Sequence, residues 1–376
     1  MERAFGFDEV AIVPGRETVD PDEVDISGNL AGIKLQIPFL ASAMDGVVDP
    51  KFAILLGKLG GLAVLNLEGI YTRYENYEEI LNEIIASRPE EVTPLLQKIY
   101  KEPIKEKLVK KVIEEIKKEN VICAVSSTPQ KAEELGKIAV ESGCDLFFLQ
   151  ITVLTGKHHS KKKTLDLKKF TKNMKIPVIM GNCVTYEVAL DLMELGASGI
   201  LVGIGPGAAC TTRGVLGIGV PQVTATLSCS KARDEFFKRR KKYIPIITDG
   251  GMTCGADICK AFASGADFVM FGNAFAKAKE SPGKGYHWGM ALPHPYLPRG
   301  TRIHVGISGS LEEILYGPAK TDDGTQNLIG ALKLALSYCG ARNIKEFHKK
   351  AKLIIAPGIK TEGKIYQKAQ KVGMGK

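Results

Sequence analysis

The stretch IPVIMGNCVTYEVALDLMELGASGILVGIGPGAACTTR, residues 176–213, decides the fold class. A short apolar run is followed by a segment of helical period, a glycine, and then a second apolar run. This alternation is typical of parallel strands joined by helices, because a parallel connection needs a crossover of helical length. Gly196 can adopt the left-handed conformation that ends a helix and returns the chain to a sheet. The stretch therefore predicts a strand-helix-strand unit.

The same unit repeats along the chain from Ile33 onward. Its predicted strands are IPFLASAM (37–44), GLAVLNL (61–67), VICAVSS (121–127), CDLFFLQIT (144–152), IPVIMGN (176–182), SGILVGIG (198–205), IPIITDGG (244–251) and DFVMFGNAF (267–275). Eight such units in about 250 residues match a closed barrel, whereas a doubly wound sheet would more often carry a GxGxxG turn after its first strand. We predict an α/β protein with a single (β/α)8 TIM barrel domain over residues 1–376.

Three segments depart from the repeat. Residues 71–120, rich in Glu, Lys, Ile and Leu, are too long for one connection and predict two or three helices inserted between the second and third strands. Residues 283–308 follow the last strand and are expected to form a short active-site flap. A helix is predicted over 325–338, and residues 341–376 are expected to form a basic C-terminal tail.

Composition excludes several classes of protein. The chain is 44% hydrophobic and 25% charged, which is globular rather than disordered or fibrous composition. Its net charge of +9 suits anionic ligands such as nucleotides. No apolar run reaches the ~18 residues of a membrane span, and the basic runs lack the aromatic interleaving of single-strand binders. Eight scattered cysteines without a CxxC pair predict free thiols, so we expect a cytoplasmic protein that binds neither membranes nor nucleic acids.

Residues that follow the strands are the best candidates for chemistry, because these loops form one rim of a barrel. The sixth strand leads into GIGPGAACTTR, where Cys210 lies beside Arg213, a cation that could raise the thiolate fraction. A thiolate attacks carbon electrophiles, although a cysteine can equally be buried and inert. Glycines after the last strands, followed by helix starts, predict a phosphate site.

These residues resemble the IMP dehydrogenase/GMP reductase family over most of the chain. The matching runs are GFDEVAIVP near the start, IPFLASAMDGVVDPKFAILLGKLGGLAVLN, GIGPGAACTTR with GVPQ, ITDGGMTCGADICKAFASGADFVMFGNAFA, and ESPG. The resemblance implies a (β/α)8 barrel of the compact branch, with the short helical insert in place of the CBS modules that many of these dehydrogenases carry. It also implies a homotetramer.

The resemblance further implies NAD-dependent oxidation of IMP to XMP through a covalent adduct on Cys210. The implied catalytic residues are Cys210, Thr212, Tyr296 and Arg299. The implied substrate-binding residues are Ser42, Met44, Gly207, Asp249, Gly251, Gly272, Asn273, Tyr286, Met290 and Ala291. Gln150, Asn182 and Gly203 would bind NAD, and a possible potassium ion would contact the carbonyl groups of Gly205, Gly207 and Cys210.

The chain departs from the family pattern at several of these positions. Ala208 replaces a phosphate-binding serine, and Gln150 replaces an aspartate that orients nicotinamide. The flap lacks the usual Arg-Tyr pair that activates water. The candidates for water activation or base recognition are therefore His294, Tyr296, Arg299 and Arg302. Two alternatives therefore stay open: an NADPH-dependent GMP reductase, and a purine-nucleotide sensor without catalysis.

Overall fold

The computed structural model describes residues 2–161, 163–289 and 302–356. The chain begins with strand β1 (Val10–Val13) and a hairpin of β2 (Gly28–Leu30) and β3 (Ile33–Leu35). Eight parallel strands then form a barrel: β4 (Phe39–Ala41), β5 (Leu62–Asn66), β6 (Ala124–Ser127), β7 (Leu146–Gln150), β8 (Val178–Cys183), β9 (Gly199–Val202), β10 (Ile246–Asp249) and β11 (Phe268–Phe271). Strand β11 pairs with β4 and closes the barrel. Each strand coincides with one of the predicted runs, so the (β/α)8 prediction is confirmed.

Helices follow each of these strands, and the last three described helices come after the barrel. The helices are α1 (Pro50–Lys58), α2 (Tyr77–Ala86), α3 (Pro89–Ile99), α4 (Glu106–Lys118), α5 (Ala132–Glu141), α6 (Leu167–Asn173), α7 (Tyr186–Glu194), α8 (Thr212–Leu216), α9 (Gln222–Arg240), α10 (Gly255–Ala263), α11 (Asn273–Ala276), α12 (Leu311–Tyr316), α13 (Leu328–Tyr338) and α14 (Ile344–Lys350). Side chains cap the N-termini of several helices. The Asp49 side chain accepts a hydrogen bond from the Phe52 amide at α1, and the Thr185 side chain accepts one from the Val188 amide at α7. Gly196, after α7, has the predicted positive φ.

The core has two parts. An inner cluster fills the barrel and includes Leu40, Leu62 and Phe148, and a larger cluster packs between the barrel and the helices. Leu30 and Leu35 of the β2–β3 hairpin belong to the inner cluster. This apolar packing fills the interior of the barrel, as TIM barrels require, so polar side chains collect at the carboxyl ends of the strands.

The helical insert is narrower than residues 71–120. Helix α4 packs against α1 and α5, so it takes the place of the ordinary barrel helix between the second and third strands. Its buried stripe of Leu108, Val109, Val112, Ile113 and Ile116 explains this position, because an amphipathic helix buries its apolar face. The added elements are therefore α2 and α3.

The segments after the barrel are partly folded. Strands β12 (Tyr286–Trp288) and β13 (Arg302–His304) lie within the predicted flap of residues 283–308 and pair antiparallel as a hairpin. The stretch expected as a tail from residue 341 is folded in its first part, because α14 buries Ile344 and Phe347 and β14 (Lys352–Ile355) pairs with β1. None of the helices in the described ranges is long and apolar enough to cross a membrane.

Candidate active site

A cavity of about 680 Å³ lies at the carboxyl ends of the barrel strands. Each of the eight strands contributes at least one lining residue, at its last positions or in the loop that follows. Tyr100, after α3, and His287 of β12 complete the wall. This cavity is lined by the described residues that the sequence analysis assigned to catalysis and to the binding of substrate, cofactor and potassium. Tyr286 is the exception. Met290, Ala291, Tyr296 and Arg299 lie outside the described residues, as does His294.

The loop after β9 presents the cysteine. Cys210 is exposed at the cavity, and its Sγ donates to Oγ1 of the buried Thr212 at 3.4 Å. The Cys210 amide donates to the Gly207 carbonyl at 3.0 Å, so the loop folds back on itself. The Arg213 guanidinium donates to the carbonyls of Ile204 and Val220, at 3.3 and 2.9 Å. Arg213 thus ties the two ends of this loop together.

A hydrogen-bonded cluster faces the cysteine loop from the strand ends. Oδ2 of Asp249 accepts from Nδ2 of Asn182 at 2.8 Å and from Nε2 of Gln150 at 3.4 Å. Oδ1 of Asp249 accepts from the Ser42 hydroxyl at 3.3 Å. Desolvation raises the pKa of Asp249 to about 6, while the hydrogen bonds from Asn182 and Ser42 oppose this rise. The cluster therefore combines a half-buried aspartate with hydrogen-bonding side chains from three other strand ends.

Two glycines lie in close contact with their neighbours around this cluster. A Cβ on Gly203 would lie 2.3 Å from the Asp249 carbonyl oxygen, and one on Gly272 would lie 2.8 Å from Sδ of Met44. Position 203 therefore excludes a side chain, because its neighbour is backbone. A side chain at position 272 would instead require the flexible end of Met44 to move.

Strand β12 turns neighbouring side chains to opposite sides, as strands do. Tyr286, predicted to bind phosphate, packs on His304 and under the Arg302 guanidinium, and lines a second cleft next to α2 and α3. His287 lines the main cavity instead. The structure therefore places Tyr286 outside the main cavity and His287, which the sequence did not single out, in its wall.

Arg302 is also removed from the cavity. Its guanidinium donates to the carbonyls of Ile84, Ile85 and Ser87 at the end of α2, with distances of 2.9 Å to Ile85 and 2.8 Å to Ser87. These carbonyls have no helical partner, and a cation suits this end of the helix dipole. Arg302 thus joins the hairpin to the insert rather than facing a substrate.

Sequence reasoning missed a buried polar network beside the cavity. The carboxylate of Asp45 is fully buried and accepts from the Ile70 amide and the Tyr100 hydroxyl, both at 2.7 Å, and from Nδ2 of Asn66 at 3.3 Å. Burial raises the pKa of Asp45. The Tyr100 oxygen also accepts from Nε1 of Trp288 at 2.9 Å. Tyr100 therefore links the insert to β12 and to the loop that carries Met44.

No cluster of three or more His, Cys, Asp or Glu side chains able to hold a metal occurs in the part of the chain that the structure describes. All eight cysteines are free. The carbonyl groups assigned to potassium belong to the cysteine loop, and carbonyl oxygens suit hard cations. The Gly207 carbonyl oxygen accepts a hydrogen bond from the Cys210 amide and retains one lone pair.

Comparisons with known proteins agree with this geometry. The family model described as "IMP dehydrogenase / GMP reductase domain" matches residues 4–292. An uncharacterized oxidoreductase of Mycolicibacterium smegmatis is 35% identical over 92% of this chain and 95% of its own. The inosine-5'-monophosphate dehydrogenase of Methanocaldococcus jannaschii is 26% identical over 94% of this chain and 93% of its own, in an alignment of 466 positions. That alignment is longer than the present chain of 376 residues, so the Methanocaldococcus enzyme contains segments that this chain lacks.

A solved structure shows the same architecture. The crystal structure of an IMP dehydrogenase/GMP reductase-like protein from Corynebacterium glutamicum superposes with a TM-score of 0.89 at 33% identity, covering 95% of each chain. The match of the family model to most of the chain, together with the relatives of similar length, leads to one conclusion. This chain belongs to the IMP dehydrogenase/GMP reductase family.

Proposed function

We propose that this protein is an oxidoreductase of guanine nucleotide metabolism and, more specifically, an NAD-dependent IMP dehydrogenase that converts IMP to XMP. The observation that carries the proposal is the position of Cys210. Its thiol is exposed in a cavity whose wall also holds the Asp249 carboxylate and glycine-rich strand ends. The named dehydrogenases among the relatives support the same reaction class.

The chemistry requires a nucleophile next to C2 of the purine. The Cys210 thiolate adds its electron pair to C2, which forms a C–S bond. The C2–H bond then breaks with loss of a hydride, so the purine is oxidised by two electrons, and a bound NAD would supply the acceptor for that hydride. Water then adds to C2 of the covalent thioimidate, the C–S bond breaks, and XMP, the thiolate and a proton are released. Thr212, whose hydroxyl accepts from Cys210, holds the sulfur in place.

The remaining cavity residues bind and orient the substrate. Asp249 accepts hydrogen bonds from the ribose hydroxyls, supported by Ser42, and Met44 packs on the purine. Gly251, Gly272 and Asn273 hold the phosphate. The backbone of Gly289, Met290 and Ala291 reads the base, with Gly207 close to the nucleotide.

The cavity also fits the nicotinamide nucleotide. Its volume of about 680 Å³ lies within the usual range for small-molecule sites, and it extends from the Asp249 cluster to Thr128 after β6. Gln150, Asn182 and Gly203 would hold NAD where the cluster faces the purine. Tyr296 and Arg299 are the proposed groups for activating water, and the carbonyl groups of Gly205, Gly207 and Cys210 would bind potassium. We further propose a homotetramer in the cytoplasm.

The test is the absorbance of NADH with IMP, NAD and potassium. Wild type is expected to form NADH, and C210A is expected to form none while it still binds IMP. C254A, which changes a cysteine in the loop before α10, serves as the matched control and should retain activity. Wild type that forms no NADH but consumes NADPH with GMP would instead be a reductase. Tight binding of XMP or GMP without turnover would identify a sensor.

A further inference from the structure

A second cleft lies between the helical insert and the β12–β13 hairpin. The end of α2 and the start of α3 form one wall, and Tyr286, Arg302 and His304 of the hairpin form the other. Its volume of about 550 Å³ is within the usual range for small-molecule sites. The described residues that line this cleft do not line the main cavity, so the two sites are separate.

Arg302 offers this cleft an unused pair of hydrogen-bond donors. Its Nη1 donates to the Ile84 and Ile85 carbonyls, and its Nη2 donates to the Ser87 carbonyl. These partners are neutral, and they occupy the end of the guanidinium that Nη1 and Nη2 share. A guanidinium has five N–H groups, and those of Nε and the second Nη2 hydrogen have no acceptor among the described residues. This remaining edge has the geometry that binds two oxygens of one anion.

The hairpin side chains in this cleft form a stack. The Tyr286 and His304 rings have centroids 4.3 Å apart and planes tilted by 34°, and the Arg302 guanidinium lies 4.6 Å from the Tyr286 centroid. Arg302 and His304 are two positions apart on β13, so they face the same side of the hairpin. His304 is exposed, and the face of its ring that does not contact Tyr286 is open to another planar group. The cleft thus offers a stacking surface close to a cationic edge.

The charges around the cleft favour an anion. Arg88 and Arg302 both line it, whereas no Asp or Glu is among its described lining residues. Glu90 and Glu91, in the first turn of α3, pair with Arg88 and offset part of its charge. Arg302 therefore carries the positive charge that no described carboxylate balances. Helix α3 begins at the cleft without a side-chain cap, so its first amides are further donors for an anion.

We propose that this cleft binds an aromatic phosphate ester of the size of a nucleoside monophosphate. Nε and Nη2 of Arg302 hold two phosphate oxygens, Arg88 and the start of α3 face the third, and the aromatic ring stacks on His304. A phosphate suits these groups better than a carboxylate does, because it is a dianion with three terminal oxygens. The inference does not rest on the proposed function, since Arg302 and His304 lie outside the main cavity.

Titration calorimetry with adenosine monophosphate (AMP), adenosine and ribose 5-phosphate separates the two halves of the site. R302K should weaken AMP and ribose 5-phosphate by about 10- to 100-fold and leave adenosine unchanged, because a lysine cannot offer two fixed donors to one phosphate. H304A should weaken AMP and adenosine by about 5-fold or more and leave ribose 5-phosphate unchanged, because it removes the stacking surface. Stacking is tolerant of the base, so AMP is a fair probe for the class of ligand.

K284A is the matched control for charge. Lys284 lies just before β12, donates to Oδ1 of Asn82 at 3.3 Å and is not among the described lining residues. K284A should therefore bind AMP as wild type does. Equal losses in R302K and K284A would show an unspecific effect of charge, and equal affinity in wild type, R302K and H304A would place AMP outside the cleft. Either result, or no binding of AMP by wild type, would overturn the proposal.

Arg302 also holds the end of α2, so thermal unfolding checks the variants. AMP at 100 times its dissociation constant should raise the melting temperature of wild type and K284A, because it binds the native state, and should have little effect on R302K at the same concentration. R88A leaves the Arg302 contacts intact and should weaken AMP by about 2- to 5-fold. A lower melting temperature of ligand-free R302K with unchanged AMP affinity would show a purely structural role and overturn the proposal. The proposed function fails separately, because NADH formation from IMP does not report on this cleft.

Discussion

Replacing Tyr100 with phenylalanine tests whether the insert supports the active site. The substitution keeps the ring and removes the hydroxyl that joins Asp45 to Trp288. Both partners are fully buried, since Asp45 and Trp288 each have 0% exposure. The carboxylate keeps its bond from the Ile70 amide, while the indole nitrogen loses its acceptor.

The expected loss follows from these partners. A buried donor or acceptor left unpaired costs about 1–3 kcal/mol, so two weakened partners should lower the free energy of unfolding by about 2–4 kcal/mol. The assay is urea unfolding followed by Trp288 fluorescence and by circular dichroism. Y74F is the matched control, because the Tyr74 hydroxyl donates to the Ile99 carbonyl at 3.0 Å from a half-buried position.

The comparison of the two variants decides the outcome. Water can replace the Tyr74 hydroxyl, so Y74F should cost less than about 1 kcal/mol. A double-mutant cycle of Y100F with W288F should show coupling, because the two side chains share one hydrogen bond. If Y100F costs no more than Y74F and the cycle shows additive effects, the network contributes no stability and the reasoning is refuted.

Three further predictions concern binding, stability and ions. Asp249 should lose its charge as the pH falls through its pKa of about 6, so the affinity for IMP should drop about 10-fold between pH 7 and pH 5. D249N is the control and should show a flat pH profile. A wild-type profile that is also flat would contradict the prediction. R233A removes a cation that is 4% exposed and lies 2.8 Å from Asp267, and it should destabilise by about 3–5 kcal/mol in thermal unfolding, because the buried Asp267 carboxylate loses its counter-charge and keeps only its hydrogen bonds from Tyr243 and Ile246. Exchange of potassium for lithium should lower the rate of NADH formation, and an unchanged rate would remove the ion from the proposal.

Local pattern was enough to predict the barrel. Each buried parallel strand is a short apolar run, and each helix between strands has its own period and a terminating glycine, so both signals lie within a few residues. The same reasoning placed Cys210, Asp249 and Asn273 on one rim, because the carboxyl ends of parallel strands meet at the same end of a barrel. Their shared cavity is what the structure shows.

Contacts between distant segments had no such signal. Whether Tyr286 or His287 faces the cavity depends on how β12 packs, and a shift of one residue reverses the faces of a strand. Tyr100 reaches Asp45 across 55 positions, and β14 pairs with β1 from the opposite end of the chain. The sequence determined which elements form and where their ends lie, because those depend on neighbouring residues. Only the tertiary structure decided which side chains from separate elements meet, because that depends on packing summed over the whole chain.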